Sequence, residues 1–515
     1  MNNPLIDTLE RETNDTTTLN GDVAKKSTLN PLLDFFSQAG AMRGQDEKAV
    51  ELFQFAYEED PVYALQLLFW LRDVRGGAGE RQLFRSIFCY LLDANRTNTK
   101  FSSSARRKLL ELVPDYGRWD DLTLIGELPD VRMVVQDQLR QDLANWHKDE
   151  PISLLAKWLP SISASNKKAK ELAKIYAKGL QGEDSLEVPV SFEGTQKEYR
   201  QVLRALRGQI NIVEHLMCHG RWDEIKFGQV PSQAARRLRK AFRKHQPTRY
   251  QEYLDLVESG EEKINAGAMF PSDLVLEYLR QQGDNCYDLQ PMKADQTINL
   301  QWEALPKWGE EQDILVMADV SGSMMHPDMT PMAASTSLAM YTAERNTNPL
   351  WKNRFMTFSS DPEFIKLNSA MPLHSKLHKV MQSPWGMSTN LRKAMALVFN
   401  CCKKQSDLPD AIIVVSDMQF DPGRPDWEGT STYEDMKSMA SELGFELPNI
   451  VWWNVNSFGN SPCTFDENGV AMLSGYSPTN LQMAFDGQIN PMQAMHTLVR
   501  DNPRYQPVKK ALITR

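Results

Sequence analysis

Two rhythms of apolar and polar positions divide the chain. From about Leu29 to Gly260, apolar residues recur at three-and-four spacing with polar breaks between them, which predicts one helix after another. "PVYALQLLFWLRDV" from Pro61, "ISLLAKWLPSI" from Ile152 and "RYQEYLDLVESG" from Arg249 are examples. Period-two alternation is almost absent there. From Asp313 the pattern changes to short, continuous apolar runs: "DILVMAD", "RFMTFSS", "AIIVVSD" (Ala411 to Asp417) and "NIVWWNV" (Asn449 to Val455). These predict strands buried on both faces, with helices between them near Met332 to Arg345, Leu391 to Lys404 and Tyr433 to Leu443. Strands that alternate with helices imply parallel crossovers and a doubly wound sheet.

The fold class that follows is α + α/β. An unpatterned, flexible segment is expected over 1–24, a helical-repeat (HEAT-like) region over 25–308, the α/β domain over 309–500 and a tail over 501–515. Within 260–308, "AGAMFPSDL" suggests one more helix and "DNCYDLQPMKADQ" a connector. An internal echo supports the repeat: "YGRWDDL" begins at Tyr116 and "HGRWDEI" at His219. In each copy the glycine is expected to stop a helix, the tryptophan to be buried, and Asp120 or Asp223 to cap the next helix.

The stretch "DILVMADVSGSMMHPDM", from Asp313, carries the candidate chemistry. In an open parallel sheet, ligands gather at the carboxyl ends of the strands. Asp319, Ser321 and Ser323 fall at that end of the first strand and Asp417 ends "AIIVVSD". "GMSTNL" puts Thr389 in the loop before the helix near Leu391. Two carboxylates and three hydroxyls form an all-oxygen set, which suits Mg²⁺ or Mn²⁺ and suits zinc poorly. With neutral hydroxyls about the ion, a partner's carboxylate would be drawn to an open position. The bland alternative is that these residues only cap helix N-termini.

"DILVMADVSGSM", "GMSTNL" and "IIVVSDMQF" resemble the metal-ion-dependent adhesion site of von Willebrand factor A domains, over about Gln312 to Met495. The resemblance implies a Rossmann-like domain in which Ser321, Ser323 and Thr389 approach the ion while Asp319 and Asp417 act through water. The family's usual Gly-Thr-Asp loop stands here as Ser388-Thr389-Asn390. The order of the two halves resembles the Ro (TROVE) ring proteins. "WLRDVRGGAGERQLFR", "KWLPS" and "YRQVLRALRGQINIVEHLMCHGRWDEIKFGQVPSQA" resemble more directly a related family found in bacteria, phages, plants and large viruses. The Ro likeness implies a helical ring or arc that binds structured RNA and single-stranded RNA ends, as a ribonucleoprotein.

Composition changes this picture at one place. The 515 residues are 41% hydrophobic and 24% charged, as in globular proteins, with a net charge of −9. Residues 151–250, however, carry 19 Lys/Arg against 9 Asp/Glu. Lys167, Lys168, Lys170 and Lys174 lie in one basic stretch; Arg236, Arg237, Arg239, Lys240, Arg243 and Lys244 lie in another. On a helix, 236, 240, 243 and 244 share a face that could follow phosphates, unless it is an ordinary solvated face.

Six scattered cysteines without a CxxC pair argue against a disulfide framework or zinc ribbon. No apolar run reaches membrane-spanning length and no secretory leader opens the chain, so a cytoplasmic protein with no membrane partner is expected. "RGGAGER" lacks the Gly-Lys-Ser/Thr ending of a phosphate loop and predicts a tight turn between helices. "HLMCH" lacks the glutamate of a zinc protease and suggests packing. The expectation is a non-enzymatic RNA-binding scaffold with a Mg²⁺ or Mn²⁺ site for a partner's carboxylate. The alternative is a metal-dependent protein-interaction module with no nucleic-acid role.

Overall fold

The computed structural model describes residues 13–93, 101–123, 125, 128–180, 193–210, 212–282, 292–307, 313–326, 328–358, 361–383, 389–422, 431–477 and 490–513. The chain gathers into two compact units: 1–87 with 231–239 and 254–506, and 88–230 with 240–253 and 507–515. These units cut across the boundaries expected from the sequence, because the first helices of the chain pack onto the α/β layer.

The first unit is built on a six-stranded sheet. Strands β3 (Ile314–Asp319), β4 (Arg354–Phe358), β5 (Glu363–Lys366), β6 (Ala411–Ser416), β7 (Asn449–Asn454) and β8 (Val470–Ser474) lie in the order β5-β4-β3-β6-β7-β8. The four strands expected from their apolar runs, β3, β4, β6 and β7, are all parallel neighbours. Strand β5, half exposed, had no apolar run to announce it and pairs antiparallel at the edge, so the sheet is mixed. In this order the chain reverses its direction of winding between β3 and β6, the place where a crevice opens at the strands' carboxyl ends. Both strands are buried along their whole length.

The helix Thr330–Arg345 packs on β3, β4 and β6, and Leu391–Cys401 packs on β4. At the other edge, Pro31–Ala39 starts with Asn30 accepting from the Leu33 N–H and Pro31 in the first turn. It docks on β8 so closely that a Cβ on Gly40 would fall 2.7 Å from the Ser474 main chain. Ser474 Oγ donates to the Phe36 carbonyl at 2.7 Å.

The segment expected to be flexible is in part a hairpin. β1 (Asp15–Thr17) pairs antiparallel with β2 (Val23–Lys25), and Lys25 exchanges main-chain bonds with Ser461. Its turn, residues 18–22, is held by polar bonds to loops more than 360 residues away, so hydrophobic periodicity gave no sign of it.

The second unit is helical among its described residues. Ser103–Tyr116 and Gln196–Ile210 each pack on Pro129–His147. Arg207 donates to the carbonyls of Ala156 and Leu159, and buried Asp142 accepts from the Ser153 N–H and hydroxyl. The two echo motifs depart from expectation. Gly117 does close a helix, yet Asp120 lies inside the next one and Asp121 reaches back to the Arg118 N–H. Trp222 is only half buried and stacks on His245 at 4.0 Å, while Asp223 sits within a short 3-10 turn and caps nothing. Trp119 is likewise only half buried, and the ring stacking of Trp222 on His245 is a contact that a burial pattern does not encode.

Candidate metal centre

Asp319 is the last residue of β3 and Asp417 follows β6, so the pairing of Ala318 with Val415 brings the two carboxylates to the same end of neighbouring strands. Both are fully buried. Asp319 Oδ1 accepts from the Ser321 N–H at 2.9 Å, and its Oδ2 accepts from Ser416 Oγ at 2.6 Å. Ser321 Oγ and Ser323 Oγ are 3.1 Å apart. Asp417 Oδ1 accepts from the Gln419 N–H at 3.1 Å, whereas its Oδ2 is buried with no hydrogen-bond partner.

Burial and mutual proximity act on both carboxyls. Burial, and next the neighbouring Asp417 charge, push the Asp319 carboxyl up to about 7, against the hydrogen bonds from Ser321 and Ser416. Burial also raises Asp417, opposed by the Ser323 hydroxyl. Two carboxylates in one dry site share a proton or share a cation. Directly after Asp417, Met418 adopts a left-handed backbone, φ 61°, unusual for a residue with a side chain and costing on the order of 1 kcal/mol. Strain of this kind fits a loop shaped for a site.

Thr389, also buried, belongs to the loop before the helix Leu391–Cys401, which Asn390 caps through the Lys393 N–H. Its N–H donates to Asp421 Oδ2 at 2.7 Å and its carbonyl accepts from the Asp421 N–H at 3.1 Å. Thr389 Oγ1 accepts from Asn20 Nδ2 at 3.0 Å. The structure therefore brings Asp319, Ser321, Ser323 and Asp417 into one cluster and ties Thr389 to the loop that follows Asp417. Among the described residues no hydrogen bond joins Thr389 directly to the other four. Ser388 lies outside the described residues.

The donor set fits a hard cation: oxygen only, with one carboxylate oxygen left unpartnered beside a second buried acid. Among the described residues no group of three or more His, Cys, Asp or Glu could hold a metal; this cluster brings two acids and otherwise hydroxyls. Sequence reasoning missed Ser416, Gln419, Asp421 and Asn20. Ser416 had a signal, a hydroxyl beside a strand-terminal acid; Asn20 had none.

The basic candidates separate. Lys167, Lys168, Lys170 and Lys174 are all exposed on the helix Lys167–Lys178. On the helix Ser232–His245, Arg237, Lys240 and Lys244 are exposed and Arg243 is half buried. Arg236 is instead ion-paired with Glu277, and Arg239 is buried, binding Glu277 at 2.8 Å and Asp295 at 2.7 Å. The face expected from helical spacing thus loses Arg236 to an internal carboxylate, and the same basic stretch loses Arg239. "RGGAGER" is a turn between the helices Pro61–Arg72 and Gln82–Leu92, as expected; a Cβ on Gly77 would overlap the Trp70 carbonyl. The rings of His215 and His219 meet at 4.2 Å, tilted by 44°, with His219 exposed.

A family model described as "Domain of unknown function (DUF2828)" matches residues 18–100 and 130–307, just over half of the chain. The chain belongs to the DUF2828 family. A further model, "Domain of unknown function (DUF7788)", matches 313–511, the part of this DUF2828 protein that holds the six-stranded sheet and the acidic cluster. The chain is 28% identical over 525 residues to "Uncharacterized protein L728" of Acanthamoeba polyphaga mimivirus, covering 93% of this chain and 86% of that protein. Among solved structures it is similar to the Deinococcus radiodurans Ro (RSR) protein, with a TM-score of 0.37 and 14% identity over 87% of this chain and 92% of that one. At that score the likeness decides nothing about function. No helix among the described residues is long and apolar enough to cross a membrane.

Proposed function

We propose that this DUF2828 protein is a non-enzymatic binding scaffold whose α/β domain holds a divalent cation, Mg²⁺ or Mn²⁺, and offers it to a carboxylate of a protein partner. Ser321, Ser323 and Thr389 supply hydroxyl oxygens, and Asp319 and Asp417 supply the charge. The site is of the adhesion type found in von Willebrand factor A domains, which the sequence motifs resemble. The observation that carries this reading is the buried Asp417 Oδ2, unpartnered beside a second buried carboxylate. A nucleophile reading has less support, since Ser321 Oγ meets Ser323 rather than a base. Thermal unfolding in chelator-buffered Mn²⁺ tests the proposal: the wild type is stabilised, and Asp319→Ala folds but gains nothing from the metal.

A second reading adds RNA binding by the helical part. It is favoured by the four lysines exposed on one helix, Lys167, Lys168, Lys170 and Lys174, with Arg237, Lys240 and Lys244 as further exposed cations. Titration against generic RNA at rising salt separates it from a purely protein-directed module, for which no low-salt binding is expected.

A further inference from the structure

The turn of the N-terminal hairpin, residues 18–22, reaches the loops that carry two of the candidate ligands. Thr18 Oγ1 donates to the Phe420 carbonyl at 2.7 Å, and the Leu19 N–H donates to Gln419 Oε1 at 2.8 Å. Asn20 Nδ2 is shared between the Gln419 carbonyl at 2.7 Å and Thr389 Oγ1 at 3.0 Å. A carbonyl can only accept, so the group facing Gln419 is the amide nitrogen, and the same nitrogen is what Thr389 receives. Thr389 Oγ1 keeps a second lone pair for another partner. On the other side Gln419, itself buried, donates its N–H to Asp417 Oδ1 at 3.1 Å and its Nε2 to the Asp417 carbonyl at 3.2 Å. The turn therefore holds Thr389 directly and Asp417 through Gln419. Asp22 adds an anchor by accepting from the Thr432 N–H at 3.2 Å, and Gly21, at φ +99°, permits the tight reversal.

We propose that this hairpin turn is a built-in part of the metal centre, with Asn20 as the positioning residue that clamps the Thr389 loop to the Asp417 loop. The inference rests on the metal reading above. Its physical content is coupling. Thr389 and Asp417 come from separate segments, and a clamp between them lowers the cost of ordering both around one ion. Coupling is reciprocal: if the docked turn favours the cation, the cation must favour the docked turn. A turn that only plugged the site would behave oppositely, because ion and turn would compete.

The test uses the full-length chain and Mn²⁺. Hydrogen exchange of the amides of residues 15–25 is followed with and without the ion, and Mn²⁺ affinity is measured for the wild type, Asn20→Ala and Leu443→Ala. Leu443, 50% exposed and outside the turn and the candidate ligand loops, serves as the control. Exchange across the hairpin slows when Mn²⁺ binds, Asn20→Ala weakens Mn²⁺ binding about five-fold, and Leu443→Ala leaves it unchanged. Exchange that is unaffected or faster with Mn²⁺, or an Asn20→Ala affinity equal to that of the wild type, overturns the inference while leaving the metal reading standing. A wild type that binds no Mn²⁺ overturns both.

Discussion

Ser416 donates its hydroxyl to Asp319 Oδ2 at 2.6 Å, tying the last residue of β6 to the last residue of β3 inside the protein. The bond does two things: it fixes the rotamer of a buried carboxylate, and it favours the charged form that a cation needs. Ser416→Ala should lower stability by about 1–2 kcal/mol, the usual cost of leaving a buried acceptor short of a donor. It should also weaken Mn²⁺ binding. Urea unfolding and a Mn²⁺ titration on one preparation measure both effects.

Metal affinity should depend on pH. The Asp319 carboxyl is pushed up to about 7, first by burial and then by Asp417. Below that value a proton must leave before the ion can enter, so apparent Mn²⁺ affinity should rise about tenfold per unit between pH 5.5 and 7 and level off above. Calorimetric titrations in two buffers would detect the released proton. A flat profile would mean that Asp319 does not titrate with the site.

Asp22 predicts a second pH dependence, seen with chelator present. Burial, opposed by the Thr432 bonds, raises its carboxyl to about 6, and its Oδ1 has no partner. A raised acid binds its proton more tightly folded than unfolded. Its contribution to stability is therefore complete below about pH 4 and is lost as pH climbs through 6, by about 3 kcal/mol. Asp22→Asn should flatten that part of the stability profile.

The turn after the helix Pro61–Arg72 depends on an ion pair. Asp73, fully buried, receives Arg504 Nη2 at 2.7 Å, also its Nε, and the Tyr505 hydroxyl at 3.0 Å. Arg504→Met leaves that charge with one donor fewer on each oxygen and should cost about 2–4 kcal/mol, the lower part of the range for a buried pair because Arg504 is one-third exposed. Denaturant midpoints provide the check.

For RNA, the fold tells which cations to test. Reversing Lys167, Lys168, Lys170 and Lys174 to glutamate should abolish salt-dependent binding, each lost phosphate contact reducing the salt slope by about 0.7–0.9. Reversing Arg236 or Arg239 would instead remove one of the two partners of Glu277, set a like charge beside it and destabilise the fold. Filter binding across a salt series, with melting curves alongside, distinguishes the two effects.

The legible parts of this molecule are those where one segment of sequence states its own environment. β3, β6 and β7 are announced by unbroken apolar runs, and Asp319, Ser321, Ser323 and Asp417 by their places at strand ends. What escaped notice depends on partners far along the chain. Asn20 meets Thr389 across 369 residues, and Arg239 meets Asp295 across 56; neither contact leaves a local period. A basic helix face reads as available for phosphate until its carboxylate neighbours are known. Ser416 lies between these cases: it is adjacent to an expected ligand, but the Asp319 carboxylate it binds is 97 residues away.

The most direct test is a crystal structure of the protein grown with Mn²⁺ and measured at the manganese absorption edge. The account predicts a single anomalous peak about 2.1–2.3 Å from Ser321 Oγ and Ser323 Oγ, with Thr389, Asp319 and Asp417 reaching it directly or through one water. A crystal that contains Mn²⁺ but has no peak there, with the Asp319–Ser416 bond unchanged, would contradict it.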